Sequence, residues 1–371
     1  MKANNVLGII FSNMHDDKIR ELTDFRTMGS VPFGGRYRLI DFALSNMVHS
    51  EIKTVGVVTK RNYQSLMDHL GSGKAWDLSR KRDGLFLLPP FGSGNDIYKT
   101  RVEALDGIMS FLHGAKQDYV VLTDSNIVSS VDFQDIIEHH IKKNAHITVA
   151  YKKMEIPQNM TDALVLSNIS KSGRIKEVLV DPQDAEEVKL GVNIYVIKRE
   201  FLIERIQSCM SKNQRSFIRD IIQNDVENHD IYAYEIKSYL SMIISMDSYF
   251  KTNMSLLDQK VRDELFNGKA VYTKILDDMP AIYGLGSKVK NSIIADGCVI
   301  EGTVENCIVF RGVKIHKDSV VRDSIIMQGS EIGENCELQH VVLDKKVKIG
   351  ANRRLTGFGS YPNYIAKNSI V

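Results

Sequence analysis

The chain has 371 residues, 43% of them hydrophobic and 25% charged, with 48 lysines and arginines against 46 acids for a net charge of +2. That length implies two or three domains with sizeable cores, and the charge balance excludes a surface built mainly for nucleic acid or an anionic membrane. No run approaches the roughly 18 apolar residues of a spanning helix, and MKANNVLGIIF lacks the apolar length and small-residue cleavage pattern of a signal peptide, so a cytoplasmic location is expected.

The first apolar run, VLGII, reads as a buried strand. The stretch after it, FSNMHDDKIRELT from Phe11 to Thr23, occupies the turn in which many α/β folds cradle a phosphate, yet it has no glycine and carries Asp16 and Asp17. Then YRLIDFALSNMVHS, RVEALDGIMSFLHG and FQDIIEHHIKK show helical periodicity, and KTVGVVT, DYVVLT and AHITVAY between and after them read as strands. This alternation predicts a mostly parallel sheet with helices on both faces. VLVD, LGVNIYVI, the helical FLIERIQSCM and FIRDIIQNDVE, and IYAYEI carry the same α/β domain, residues 1–255, to its end. A helical segment from Ser248 to Glu264 leads out through a linker over 256–280. His139 and His140 are adjacent on a helix and so face different sides, which argues against a ligand pair, and the basic run SRKRDG reads as a solvated loop.

From about Ala281 to the end the texture changes to a repeat. Ile315, Ile332 and Ile349 recur every 17 residues, as do Val304, Val321, Leu338 and Leu355, and Val309, Ile326 and Leu343. One turn earlier, from Ile294 to Val309 and from Ile300 to Ile315, the interval is 15. Apolar positions five or six apart give three short strands per coil, the pattern of a parallel β-helix built from hexapeptides over 281–371. A β-sandwich would instead alternate strictly, with turn signals at longer spacing. Cys209, Cys298, Cys307 and Cys336 form no C-x-x-C pair and read as reduced, buried residues, so no metal site is expected of them.

SVPFGGRYRLIDFALSNMVHSEIKTVGVVT, SLMDHLGSGKAWDL, LFLLPPF, LGVNIYVI, SYFKTNMSLL and EGTVENCIVFRGVKI closely resemble the ADP-glucose pyrophosphorylases, the glucose-1-phosphate adenylyltransferases of glycogen synthesis. The resemblance implies a nucleotidyltransferase domain of dinucleotide-binding type, a left-handed β-helix and a tetramer. Active members adenylate glucose 1-phosphate with ATP and magnesium, so the chain must offer phosphate donors and metal carboxylates.

Position by position, the resemblance points to loss. The family's phosphate loop G-G-x-G-x-R falls on Asn13, Met14, His15, Asp16, Asp17 and Lys18, where only Lys18 keeps the positive charge. The first metal aspartate falls on Ser125 or Asn126 if the register runs back from Asp132, and near Asp124 if it runs forward from Leu122; loss is the favoured reading. Counting back from SYFKTNM, the second falls on Met242, which cannot hold magnesium. The adenine-side G-T-A-D-A becomes Thr100, Arg101, Val102, Glu103 and Ala104; the lysine of the family's A-K-P becomes Met28; and its sugar-phosphate E-K-P is replaced around VDPQDAEE. Trp76, Glu103 and Asn193 remain as remnants of a substrate pocket.

Arg26 and Arg38, with Lys345 more weakly, stand where the family draws its regulatory anion site, although such residues more often pair with acids such as Asp41. The pattern therefore resembles the GlgD-type branch of the family: a weak or non-catalytic subunit that modulates a GlgC-type catalytic partner in a mixed tetramer, or assembles with itself, and responds to a phosphorylated small molecule. No cofactor is expected of this chain alone, with magnesium belonging to the partner. Two other readings compete, an active adenylyltransferase that tolerates its substitutions and a free-standing sensor of nucleotide sugar or sugar phosphate.

Overall fold

The computed structural model describes residues 5–80, 82–90, 98–158, 160–182, 187–266 and 268–371. Lys81 of SRKRDG, Phe91 of LFLLPPF and residues 183–186 of VDPQDAEE lie outside the described residues.

The N-terminal sheet contains β1 (Val6–Phe11), β2 (Thr54–Val58), β3 (Gly84–Leu88), β4 (Tyr119–Asp124), β5 (Ile147–Met154), β6 (Leu164–Ile169), β7 (Ile175–Val180), β8 (Val188–Lys198) and β9 (Ile231–Glu235). Its main path runs β7-β6-β8-β4-β1-β2-β3, with β5 pairing β8 and β9. The centre is parallel: β1 pairs β2 and β4 in parallel, as β2 pairs β3. Antiparallel β8 extends the sheet on the far side of β4 and brings β6 and β7 with it. Because strand side chains alternate, Leu7, Ile9 and Phe11 enter one core layer, against the helices α2 (Arg101–Gly107) and α4 (Arg199–Ser211). Val6 and Ile10 enter the other, against α1 (Leu39–His49) and α3 (Phe133–Lys142). On α3 the two histidines do diverge: His140 is buried against the Thr148 hydroxyl, whereas His139 packs edge-on to Tyr234.

The C-terminal region stacks three five-stranded parallel sheets, one per face of a β-helix. The repeat sets the register directly: Ile294 pairs Val309 and Ile300 pairs Ile315 at the shorter interval, and Ile315, Ile332 and Ile349 pair in succession at the longer. Their side chains, with Cys298, Cys307 and Cys336, fill the inside of the coil. All four cysteines are free and buried.

A third apolar layer cements the two parts, joining Phe33, Phe42, Tyr249 and Phe250 to Ile308, Phe310, Ile325 and Val342 of the β-helix. The turn GGR lies in this joint. Gly34 has φ +59 and donates its N–H to Asn253 at 2.9 Å, and a Cβ there would meet Leu256 at 2.8 Å, which explains the glycine.

Candidate functional site

A cavity of about 370 Å³ opens beside the C-terminal ends of β1 and β4, the place where open α/β sheets collect ligands. The FSNMHDDKIRELT turn forms one wall. Instead of opening an anion cradle, it closes on itself. Asn13 donates to the Tyr98 hydroxyl at 2.8 Å, and the Asp16 carboxylate accepts the Met28 N–H at 2.8 Å. The turn continues as a three-residue 3-10 helix and a four-residue α-helix, too short to present an ordered row of N–H donors. Asp17 projects into solvent, whereas burial pushes Asp16 up to about 7, helped by Asp17 and opposed by Met28 N–H and Lys60. The fate of the two acids therefore differs: one is hydrated and the other is a structural hydrogen-bond acceptor.

Asp16 makes stability depend on pH. Its carboxyl holds a proton in the folded chain that the unfolded chain, near 3.8, gives up, so stability falls as pH rises between about 4 and 7. Asp16→Asn keeps the acceptor for Met28 and is expected to flatten this slope. Urea unfolding of both proteins across that window checks it; parallel slopes would show that Asp16 titrates normally.

Asp124 ends β4 beside Phe11 and is fully buried. The Arg101 Nη2 donates to both of its oxygens at 2.9 Å, and His15 Nε2 lies 2.9 Å from Oδ2. Burial alone would raise this carboxyl, but Arg101 and then His15 outweigh it and hold Asp124 below the ordinary carboxylate range. Arg101 is placed by local sequence. In TRVE, Thr100 caps α2 by accepting the Glu103 N–H, while Glu103 accepts the N–H groups of Lys99 and Thr100, a capping box that starts the helix at Arg101. Glu103 thus serves the helix and a 3.6 Å ion pair with Arg215.

The neighbouring positions are built into the packing in other ways. Asn126 is buried, its side-chain amide donates to the Ile243 carbonyl at 3.0 Å and its backbone carbonyl accepts the Ile243 N–H, which leaves its side-chain oxygen buried without a hydrogen-bond partner. Met242 is 3% exposed in a short strand, Leu240–Met242, paired antiparallel with Ile127–Ser129. The donor set does not fit magnesium: Arg101 engages both oxygens of Asp124, Met242 offers none, and the neutral side-chain oxygen of Asn126 is left as a single neighbouring donor. Among the described residues no cluster of three or more His, Cys, Asp or Glu could hold a metal ion.

Of the three pocket remnants, only Asn193 lines the cavity. It sits at φ +57 where the pairing of β8 with β5 shifts register, a bulge that turns its side chain, bonded by the Tyr195 hydroxyl, to the wall. Trp76 does not reach it. Trp76 is 1% exposed, donates to the Tyr272 carbonyl at 3.1 Å and packs edge-on to His69, so it is a core residue. Lys18 is on the cavity wall. Arg101 itself, read from sequence only as a changed adenine-side position, is the residue around which the site is organised. The helical periodicity of RVEALDGIMSFLHG places it on a helix, but nothing local indicated Asp124 as its partner.

A second, smaller pocket of about 130 Å³ lies between the domains. Five basic side chains, Arg36, Arg38, Lys274, Arg311 and Lys345, line it against the single carboxylate of Asp68. Arg38 donates to the Ser65 hydroxyl at 2.9 Å, and its own N–H donates to Asp41, which also binds His69 at 2.6 Å. Burial, then the charges of Arg38 and Arg26, bring the Lys345 amine down to about 7. Arg26 is not on the wall. It is 2% exposed and both oxygens of Asp344 accept from its Nη2, at 2.8 and 2.9 Å, so its partner is Asp344 rather than Asp41.

The chain matches the nucleotidyl transferase family over residues 8–259 and the GlmU-like C-terminal hexapeptide family over 281–357, in keeping with a β-helix of left-handed type. It is 34% identical to the glycogen biosynthesis protein GlgD of Bacillus subtilis (strain 168), covering 100% of this chain and 98% of that protein. It is 36% identical to GlgD of Geobacillus stearothermophilus over 86% of this chain and 83% of that one. A glucose-1-phosphate adenylyltransferase of Pseudothermotoga lettingae is 34% identical, covering 85% of this chain and 76% of its own length.

Proposed function

Because the chain belongs to the nucleotidyl transferase family, in the group holding the GlgD proteins and the glucose-1-phosphate adenylyltransferases, we propose that it is a GlgD-type subunit in glycogen biosynthesis, weak or inactive in adenylyl transfer by itself. The carrying observation is the Asp124 site, where the Arg101 guanidinium and the His15 ring occupy the carboxylate that a metal would need. The closed turn and Met242 support the same conclusion. On this reading a catalytic subunit of the GlgC type supplies the magnesium chemistry, and this chain acts by assembling with it in the cytoplasm. The interdomain pocket would receive a phosphorylated effector: an anion there would bridge the GGRYR turn to the β-helix, favour the protonated Lys345 amine, and bias the relative placement of the domains.

The decisive experiment is reconstitution. Purified chain given ATP, glucose 1-phosphate and magnesium is expected to release no pyrophosphate above background, and to change the rate or effector response of an added catalytic subunit. Turnover by the chain alone would overturn the assignment.

A further inference from the structure

The Arg101–Asp124 pair has a consequence for ligand binding as well as for catalysis. We propose that Arg101, backed by His15, supplies the positive charge that a divalent cation would otherwise supply in this cavity, and that the cavity takes a phosphate ester, of a nucleotide or of a sugar, without magnesium. The inference stands apart from the regulatory assignment, since it concerns what the isolated chain binds.

Four observations carry it. First, the guanidinium is held rigidly: its carbon lies 4.7 Å from the centre of the Phe11 ring and 5.6 Å from those of Tyr195 and Phe217, so cation–π packing and the two bonds to Asp124 orient it together. Second, Arg101 is a wall residue only 9% exposed, and its Nη1 is buried with no hydrogen-bond partner. A buried donor left unpaired is costly, and a phosphate oxygen is the acceptor that best suits a guanidinium. Third, among the described lining residues five lysines and arginines face a single carboxylate, Asp162. Arg215 and Arg219 pair with Glu103 and Asp181, and Arg101 with Asp124, so it is the unpaired Nη1 of Arg101 that the cavity offers to an anion. Fourth, the cavity of about 370 Å³ has apolar wall at Met14, Phe217 and Ile244, enough to cover a sugar or a base beside the phosphate.

Calorimetric titration of the full chain tests this, with ATP and with glucose 1-phosphate as separate probes, each in EDTA and in excess magnesium. At least one probe is expected to bind with dissociation constants within about threefold of each other in the two buffers. The paired variant Arg101→Met/Asp124→Asn removes both buried charges at once, so neither is stranded, and is expected to weaken binding in EDTA by about tenfold or more. Binding that requires magnesium, binding of neither probe, or wild-type affinity in the paired variant would each overturn the proposal. The two-buffer comparison uses the native chain and so decides the question even where the variant fails to fold. Which probe binds distinguishes a nucleotide from a sugar phosphate.

Discussion

Replacing Asp344 by alanine is expected to cost about 3–5 kcal/mol of folding stability, the range for breaking one side of a buried ion pair. Asp344 is fully buried in the β-helix and accepts from Arg26, from the Tyr364 hydroxyl at 2.9 Å and from the Lys345 N–H at 2.6 Å. Alanine would leave Arg26 charged, buried and unpaired, with Nη1 already lacking a partner. Because Arg26 belongs to the α/β domain, the substitution also cuts a polar tie between the domains. Chemical unfolding measures the loss, and the variant Arg26→Met/Asp344→Leu, which removes both charges, should recover most of it. A loss below about 1 kcal/mol in Asp344→Ala would show that the pair is solvated and contributes as little as a surface pair.

The second large effect concerns the missing metal ligand. Met242→Asp is expected to destabilise the chain by about 3 kcal/mol or more, the scale of an unpaired carboxylate placed in a buried strand, and not to create a magnesium site. The new carboxylate would stand on a strand paired with Ile127, while Asp124 stays bound to Arg101 and His15. Glycines at Asn13, Met14 and Asp16 with Lys18→Arg, alone or added to Met242→Asp, are likewise expected to leave pyrophosphate release at background. Magnesium-dependent release from the combined variant would show that the Asp124 cluster is no obstacle to catalysis.

Legibility followed the range of the interactions. The β-helix could be read almost to the residue, since Ile315, Ile332 and Ile349 stack at the interval their spacing predicted. The helix start at Arg101 was equally local, written in the four residues TRVE. The Asp16 side chain was less so: sequence placed it in a turn without glycine, and its bond to the Met28 N–H comes from a residue twelve positions on.

By itself, then, the sequence determined the two architectures, the coil register, and the absence of a glycine loop and of a carboxylate at Met242. These follow from periodicities and residue types that act over a few positions or one repeat. Only the tertiary structure decided partners: Arg101 of α2 with Asp124 at the end of central strand β4, Arg26 with Asp344 across 318 residues, and Trp76 in the core instead of the cavity. A buried charge must find a counter-charge, but which one it finds depends on where distant strands and coils end, and no local pattern encodes that.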